Sequence, residues 1–433
     1  MKGMINKSMQ NWAGNLQFTP ADIAYPSRSE EIRKRVLDAI SANQKIRVVG
    51  SGHSWTDLIA TDGLLISLDQ YEGIIKNEKD EFIIRAGTKI KKLGELLFNE
   101  GLGLENLGDI DVQSIAGAIS TGTHGTGICF GSIATQIEEI KFINGRGEEI
   151  TCSDKENNSL FKCAQVSLGA LGIITEMKCR CMPAYKLVFE AKKEKFSDVI
   201  AQLDKLIAQN RNFEFYWFPY SEVVQTRYSN ITQDDVEKPG IGSFINDILL
   251  ENGALKVVSE LARIFPFFAP SASKLAASLV SGTKKKNWSH KVYATARLVR
   301  FNEMEYNIPI PRFKELVREV ADVVAKNRFK INFPTENRFV KADDIYLSPA
   351  YNRDSAYIAA HVYKGMDYKP YFETLESIFI NNGGRPHWGK MHTQKADYLC
   401  TVYPRWNDFL KWRQEMDPKG IFLNNHLHEI LGC

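Results

Sequence analysis

The chain lacks most of the features that assign a sequence quickly. Its seven cysteines are odd in number and scattered, and no two form a Cys-x-x-Cys pair. That argues against a disulfide framework and a thiolate zinc site and fits a reducing compartment, so a cytoplasmic location is expected. No uncharged apolar run reaches about 18 residues, so no spanning helix is expected. The opening stretch "MKGMINKSMQNWAGN" has no apolar core and does not read as a signal peptide. Neither sign of charge is in excess. The 55 Lys and Arg against 52 Asp and Glu leave +3, too little for an electrostatic nucleic-acid binder. HExxH is missing, and the spacings of His387, His392, His426 and His428 fit no zinc motif. Neither a metal site nor a metal hydrolase is therefore expected. Internal repeats and low-complexity tracts are missing too.

What is present is a globular composition over 433 residues, 44% hydrophobic, with 24 Phe, 16 Tyr and 7 Trp. That is enough for two or three domains with a large core. Residues 1–183 are glycine-rich and β-alternating. Within them "SRSEEIRKRVLDAISAN" predicts a helix capped by Ser27 or Ser29, with Ile32, Val36 and Ile40 on one face. "KIRVVG" predicts a short buried strand. "FIIRAGTKIKKLGELLFNEGLG" predicts a strand, a Thr88 cap, a helix and a glycine stop. Asn144-Gly145 between alternating apolar residues predicts a hairpin.

Glycine thins out over 184–383. There the helical "FSDVIAQLDKLIAQN" and "PRFKELVREVADVVAKN" alternate with aromatic strands "FEFYWF" and "SAYIAAHVY". This predicts an α+β domain with an antiparallel sheet. Residues 240–290 read as an apolar helical insertion. Packing on the second domain is the preferred reading of it, and peripheral contact with a membrane surface is the alternative. A C-terminal segment, 384–433, carries chemistry-rich residues again.

Two glycine-rich loops bear on function. In "RVVGSGHSWTDL" a strand runs into Gly50 and Gly52, where backbone N–H groups can converge on an anion. The dinucleotide fingerprint G-x-G-x-x-G needs a third glycine, and Trp55 stands in its place, so a standard NAD site is disfavoured. The second loop, "SIAGAISTGTHGTGICFG", interleaves Gly117, Gly122, Gly125 and Gly127 with Ser120, Thr121, Thr123 and Thr126. Two such loops in one domain suggest a pyrophosphate, hence a dinucleotide held by backbone.

"VVGSGHSWTDL", "SIAGAISTGTHGTG" and "LGALGIITEMKCR" together resemble the FAD-binding domain of the vanillyl-alcohol-oxidase, or PCMH-type, flavoprotein superfamily. "HWGKMH" and "DPKGIFLN" resemble its sugar-1,4-lactone oxidase branch, the gulonolactone and arabinonolactone oxidases. The likeness runs from about Asn11 to Leu431 and is poor over 220–300. It implies a PCMH-type FAD-binding domain (1–183), an α+β substrate or cap domain (184–383) and a C-terminal segment returning to the flavin (384–433). It also implies FAD held by a single covalent 8α-histidyl link at His53, since the cysteine of doubly linked relatives is missing from "DVQSIAGAIS". A neutral imidazole is a competent nucleophile for such a link.

The cofactor contacts carried over are Val49, Gly50, Ser51, Gly52, Ser54, Ser114, Gly117, Ser120, Thr121, His124, Gly125, Ile173 and His387. Lys390 is placed by the resemblance at the flavin N1–C2=O edge, where fixed positive charge favours reduction. Glu336 and Arg338, two apart on a strand-like stretch, share one face. The resemblance makes them, with Ser114 and Lys390, the contacts to substrate hydroxyls. A surface salt bridge is the alternative for the pair. His361 is read either as a base or orienting histidine or as a core histidine.

The activity implied is oxidation of a carbinol carbon of a sugar-1,4-lactone, with electrons passed to oxygen or another acceptor. The alternatives are an alditol oxidase, in which a bulkier residue would stand at Gly389, and a non-catalytic flavin-binding protein.

Overall fold

A computed structural model of the chain describes residues 8–76, 81–237, 251–294 and 299–433, with only the backbone at 251–255. The first half carries two principal sheets beside two two-stranded ribbons. One has three parallel strands, β1 (Asp22–Ala24), β2 (Ile46–Val49) and β3 (Leu64–Ser67), in the order β1-β3-β2. The other is antiparallel, built from β4 (Ile74–Lys76), β5 (Phe82–Arg85), β6 (Ile137–Asn144), β7 (Glu149–Ser153) and β8 (Gly172–Cys179), in the order β7-β6-β8-β5-β4. Parallel pairing needs a crossover, and α1 (Ser29–Ser41) supplies the one between β1 and β2. It buries Ile32, Val36 and Ala39 against the sheets.

Neither proposed hydroxyl cap is used. The cap position of α1 is Arg28, which makes no side-chain cap bond. The Glu31 carboxylate instead reaches back past the cap position to accept from the Ser27 N–H at 2.9 Å. Lys89 occupies the cap position of the helix Ile90–Asn99. The Thr88 hydroxyl is spent on the preceding turn, donating to the Arg85 carbonyl at 2.6 Å and accepting from the Gly73 N–H at 2.9 Å. The β6–β7 hairpin forms as expected, with Ile143 opposite Glu149. Its left-handed residue is Gly147 (φ 75°) rather than Asn144 or Gly145. Gly145 serves close packing, because a Cβ there would lie 2.8 Å from the Cα of Asp417.

The second half is organised by one eight-stranded antiparallel sheet. Its strands are β9 (Lys186–Lys195), β10 (Asn212–Trp217), β11 (Val223–Thr232), β12 (Thr283–Trp288), β13 (Phe301–Pro309), β14 (Thr335–Val340), β15 (Ser355–Tyr363) and β16 (Arg385–Pro386). They lie in the order β12-β9-β11-β10-β14-β15-β13-β16. The α+β expectation holds. Helices Phe196–Gln209, Ile310–Asn327 and Lys369–Asn381 cover one face, joining Met304, Tyr306, Ile308, Ile358 and Ala360 in a continuous core. Period-two alternation then turns Glu303, Glu305, Glu336, Arg338 and His361 to the other face, toward the glycine-rich loops.

Within the expected insertion 240–290, residues 240–250 lie outside the described residues. The rest forms helices Glu251–Ile264 and Ala269–Leu279 joined at Pro266–Phe268, followed by strand β12. Lys284, Lys285 and Lys286 therefore sit on a strand paired with β9 and not on a helix.

The C-terminal segment packs back on the first half. Trp388, Leu399, Phe409 and Leu427 share a core with Ile46, Ile66 and Ile115. The buried Arg47 guanidinium fastens three parts of the chain by donating to the carbonyls of Leu58, Leu168 and Phe422. An isolated Arg here would leave a costly unpaired charge, and the ring of carbonyls meets it.

Candidate active site

Two adjoining cavities lie between the glycine-rich loops and the large sheet. The first encloses about 950 Å³, counting its open mouth. It is lined by Val49, Gly50, Ser51, Gly52, His53 and Ser54 from the first loop, and by Ser114, Gly117, Ser120, Thr121 and Ile173 beyond it. The two loop glycines have different reasons to be glycine. A Cβ on Gly50 would lie 2.3 Å from Ser114 Oγ, so the two loops meet only because that side chain is missing. Gly52 sits in the left-handed region (φ 66°). A long cleft walled by glycine backbone and hydroxyls fits a dinucleotide with a pyrophosphate.

The second cavity, about 640 Å³, shares His53, Ser54, Gln113 and Thr121 with the first. This explains why tryptophan replaces the third glycine. Trp55 is buried, its indole N–H donates to the Phe301 carbonyl at 2.9 Å, and its ring walls the second cavity beneath the Lys390 Nζ at 4.3 Å. The loop is a partition between two chambers rather than a helix start.

His53 sits on that partition, stacked on Trp12 with ring centroids 5.1 Å apart. Burial, aided by the Lys390 charge, pushes its pKa down to about 4. The imidazole is therefore neutral near pH 7.

Lys390, Glu336, Arg338, His124 and His387 line the second cavity. Ser114 lines the first only, and Gly125 lines neither. Gly125 is a packing glycine, since a Cβ would meet the Leu107 carbonyl oxygen at 2.2 Å. Glu336 and Arg338 do share one face of β14, and the pair is not at the surface. The side chains are 5% and 10% exposed. Arg338 pairs with Glu336, with Glu214 at 2.9 Å and with Asp109 at 3.2 Å. Burial would depress this guanidinium, but the three carboxylates override it and raise its pKa. Glu336 also accepts from the Tyr216 hydroxyl, which stands opposite it in the β10–β14 register.

Five acidic or phenolic residues of this site, Asp109, Glu214, Tyr216, Glu303 and Glu305, were not singled out from the sequence. Glu303 pairs with Lys390 and lies 3.5 Å from His361 Nε2, its opposite number in the β13–β15 register. Burial opposes its ionisation, but Lys390 and His361 together hold its pKa down to about 2. Glu305 lies 3.2 Å from His124 Nε2. The alternation in "FNEMEYN" was the available signal. It reads equally as a strand with a solvated edge.

His124, Glu305 and His387 bring ligand-type atoms within 4.8 Å of one another, the one such group of three among the described residues. His387 Nδ1 already accepts from the Gly389 N–H at 3.0 Å, which places its proton on Nε2. His124 Nδ1 faces the Gly125 carbonyl at 2.8 Å. The Nδ1–H of His124 thus donates to that carbonyl, which leaves its Nε2 turned to the Glu305 carboxylate at 3.2 Å.

Residues 177–430 match the family model described as D-arabinono-1,4-lactone oxidase, and residues 20–153 match an FAD binding domain. The chain belongs to the D-arabinono-1,4-lactone oxidase family. It is an FAD-dependent oxidoreductase. Among relatives of this family, an L-gulono-1,4-lactone dehydrogenase of Mycobacterium tuberculosis is 36% identical, covering 98% of both chains. An L-gulonolactone oxidase of Scyliorhinus torazame is 30% identical, covering 99% of both. A solved structure of a solvent-stable cholesterol oxidase superposes with a TM-score of 0.85 at 17% identity, covering 99% of this chain and 98% of that one. That likeness establishes the shared PCMH-type fold.

Proposed function

We propose that this enzyme oxidises a sugar-1,4-lactone at its C2 carbinol carbon, giving a 2-keto lactone that tautomerises to an enediol lactone. Residues 1–183 are assigned to FAD binding, 184–383 to substrate recognition and 384–433 to closing the flavin site. The reading rests on one observation above all. A chamber lined by a buried Glu–Arg pair and by a Lys–Glu–His chain adjoins the glycine-walled cleft through His53.

The glycine-rich loops lining the first cavity would hold FAD, which would supply the acceptor for the C2 hydride. We assign a single covalent link to His53, whose neutral ring at the shared wall is suited to nucleophilic attachment. In the second cavity Glu336 accepts from substrate hydroxyls and the Arg338 fork donates to them. Lys390 provides the fixed positive charge that favours hydride departure toward the adjoining chamber.

The hydroxyl proton is taken by His361. Its Nδ1 faces the Pro334 carbonyl at 3.0 Å, so that nitrogen carries the resident proton and Nε2 is the accepting atom. Glu303 orients the ring and stabilises its charged form. His361 is deeply buried, which disfavours that form, yet Glu303 raises its pKa. The seven free cysteines support a cytoplasmic setting.

The deciding experiment is reduction of the purified flavoprotein by a panel of aldonolactones and alditols, under argon and then in air. Bleaching by lactones is expected. Bleaching by alditols alone would replace the assignment with an alditol oxidase, and bleaching by neither would leave a flavin-binding protein. Re-oxidation in air distinguishes oxygen from another acceptor. The relatives named above carry both kinds of name, dehydrogenase and oxidase.

A further inference from the structure

The helical hairpin 251–279 is amphipathic the wrong way round. Of the twelve exposed large apolar side chains among the described residues, seven lie between 257 and 279. Helix Glu251–Ile264 turns Val257, Leu261 and Ile264 outward, at i, i+4 and i+7. Helix Ala269–Leu279 turns Leu275 and Leu279 outward. At the bend, Phe265 is half exposed and Phe267, just past Pro266, is 79% exposed. The inward positions are small: Ser259 and Ala262 on one helix, Ala269, Ala272, Ser273 and Ala277 on the other.

This inner face is docked firmly. Ser259 Oγ accepts from Asn332 Nδ2 at 2.9 Å, Ser273 Oγ donates to the Pro219 carbonyl at 2.7 Å, and Glu260 accepts from the Tyr363 hydroxyl. The large side chains are therefore presented outward from a packed base. A soluble helix normally buries its large apolar face and exposes the small and polar one. An apolar patch of this extent marks an interaction site.

We propose that this hairpin docks the enzyme on an anionic lipid surface, with Phe265 and Phe267 at the bend entering the headgroup boundary. Charge selects this occupant. Within 251–279 the charged residues are Glu251, Lys256, Glu260, Arg263 and Lys274, a net charge of +1. Glu260 is paired with Arg263 at 2.8 Å, which leaves the positive Lys256 and Lys274, both exposed, to flank the apolar ridge. Exposed aromatic and leucine side chains bordered by lysine form the pattern of an interfacial helix. Two lysines of the Lys284–Lys286 run are engaged elsewhere. Lys286 pairs with Asp234 at 2.8 Å, and Lys285 lies over the Phe189 ring. The proposal is independent of which lactone the active site accepts.

The test is co-sedimentation of the intact flavoprotein, followed by its yellow colour, with vesicles of phosphatidylcholine alone or mixed with phosphatidylglycerol. Binding to the mixed vesicles is expected, weaker in high salt and weaker on phosphatidylcholine. The double variant F265S/F267S should bind about tenfold more weakly or worse, because two aromatic rings no longer leave water. The variant K256Q/K274Q should bind more weakly to the mixed vesicles only. Both should keep the wild-type rate of flavin reduction, since none of these residues lines either cavity.

Equal binding to both vesicle types would overturn the anionic requirement. Yellow protein left wholly in the supernatant would overturn the proposal. So would a self-associating species dissolved by F265S/F267S, which would make a second copy the occupant.

Discussion

Arg338→Ala tests both what the buried Glu–Arg pair does and what it costs. In the folded protein the guanidinium faces three carboxylates, Asp109, Glu214 and Glu336, whose side chains are 13%, 14% and 5% exposed. Removing one member of a buried ion cluster leaves uncompensated charge, worth about 3–5 kcal/mol. Two remaining contacts moderate this. Arg227 lies 3.7 Å from Glu214, and the Tyr216 hydroxyl still donates to Glu336. The expected loss is therefore near the lower end, about 3 kcal/mol. A surface pair would cost no more than about 1 kcal/mol.

Urea unfolding of the flavin-loaded variant measures the loss. It should be smaller at about pH 5 than at about pH 8, because proton uptake gives stranded carboxylates another route to neutrality. Stopped-flow reduction of the same sample should show a raised KM and a slower bleaching rate. A stability loss below about 1 kcal/mol would refute the buried-cluster reasoning. A full stability loss with unchanged reduction would make Arg338 purely structural and remove it from the substrate site.

Lys390→Met should lower kcat by about 100-fold or more with a smaller effect on KM, measured by rapid-mixing flavin reduction, since a charge serving hydride departure acts in the transition state. Acid denaturation of the holoenzyme should leave yellow colour on the polypeptide, in a tryptic peptide containing His53. FAD found wholly in the supernatant would disprove the link. Flavin reduction should accelerate as pH rises through the raised pKa of His361, above about 6.5. Glu303→Gln should move that midpoint downward, and an unshifted midpoint would assign the titration to another group. Burial lowers the pKa of His387 to about 3 and those of His392 and His426 to about 4, so the unfolded chain binds the extra protons. Their contribution to stability is complete above about pH 6.5 and fades as pH falls toward about 4, and toward about 3 for His387. Each adds up to about 1.4 kcal/mol per pH unit to the slope, readable by urea unfolding.

The readable parts of this sequence were those where one local rule has no competitor. A strand running into Gly50 and Gly52, the 143–149 hairpin and the helices flanking the aromatic strands each followed from spacing alone. The caps failed because Ser27 and Thr88 have other partners three or four residues away, and a hydroxyl signals only that it will bond somewhere. The acidic half of the site failed for a deeper reason. Period-two alternation tells which residues share a face, and polar residues on that face are read as facing water.

In β13, Glu303 and Glu305 face an internal chamber instead, and all but the last position of the strand is buried. The information that the far side of the sheet is covered lies some 200 residues away, in the loops carrying His53 and His124. No window along the chain contains it. The hairpin 251–279 inverts the same rule, with alanine and serine inside and leucine and phenylalanine outside. Its sequence shows an apolar helix, and only the packed base shows which face is free. Both departures fall where the chain is proposed to meet something other than itself: substrate and flavin in one case, and a lipid surface in the other. A sequence rule that assumes water beyond the protein fails at those places first.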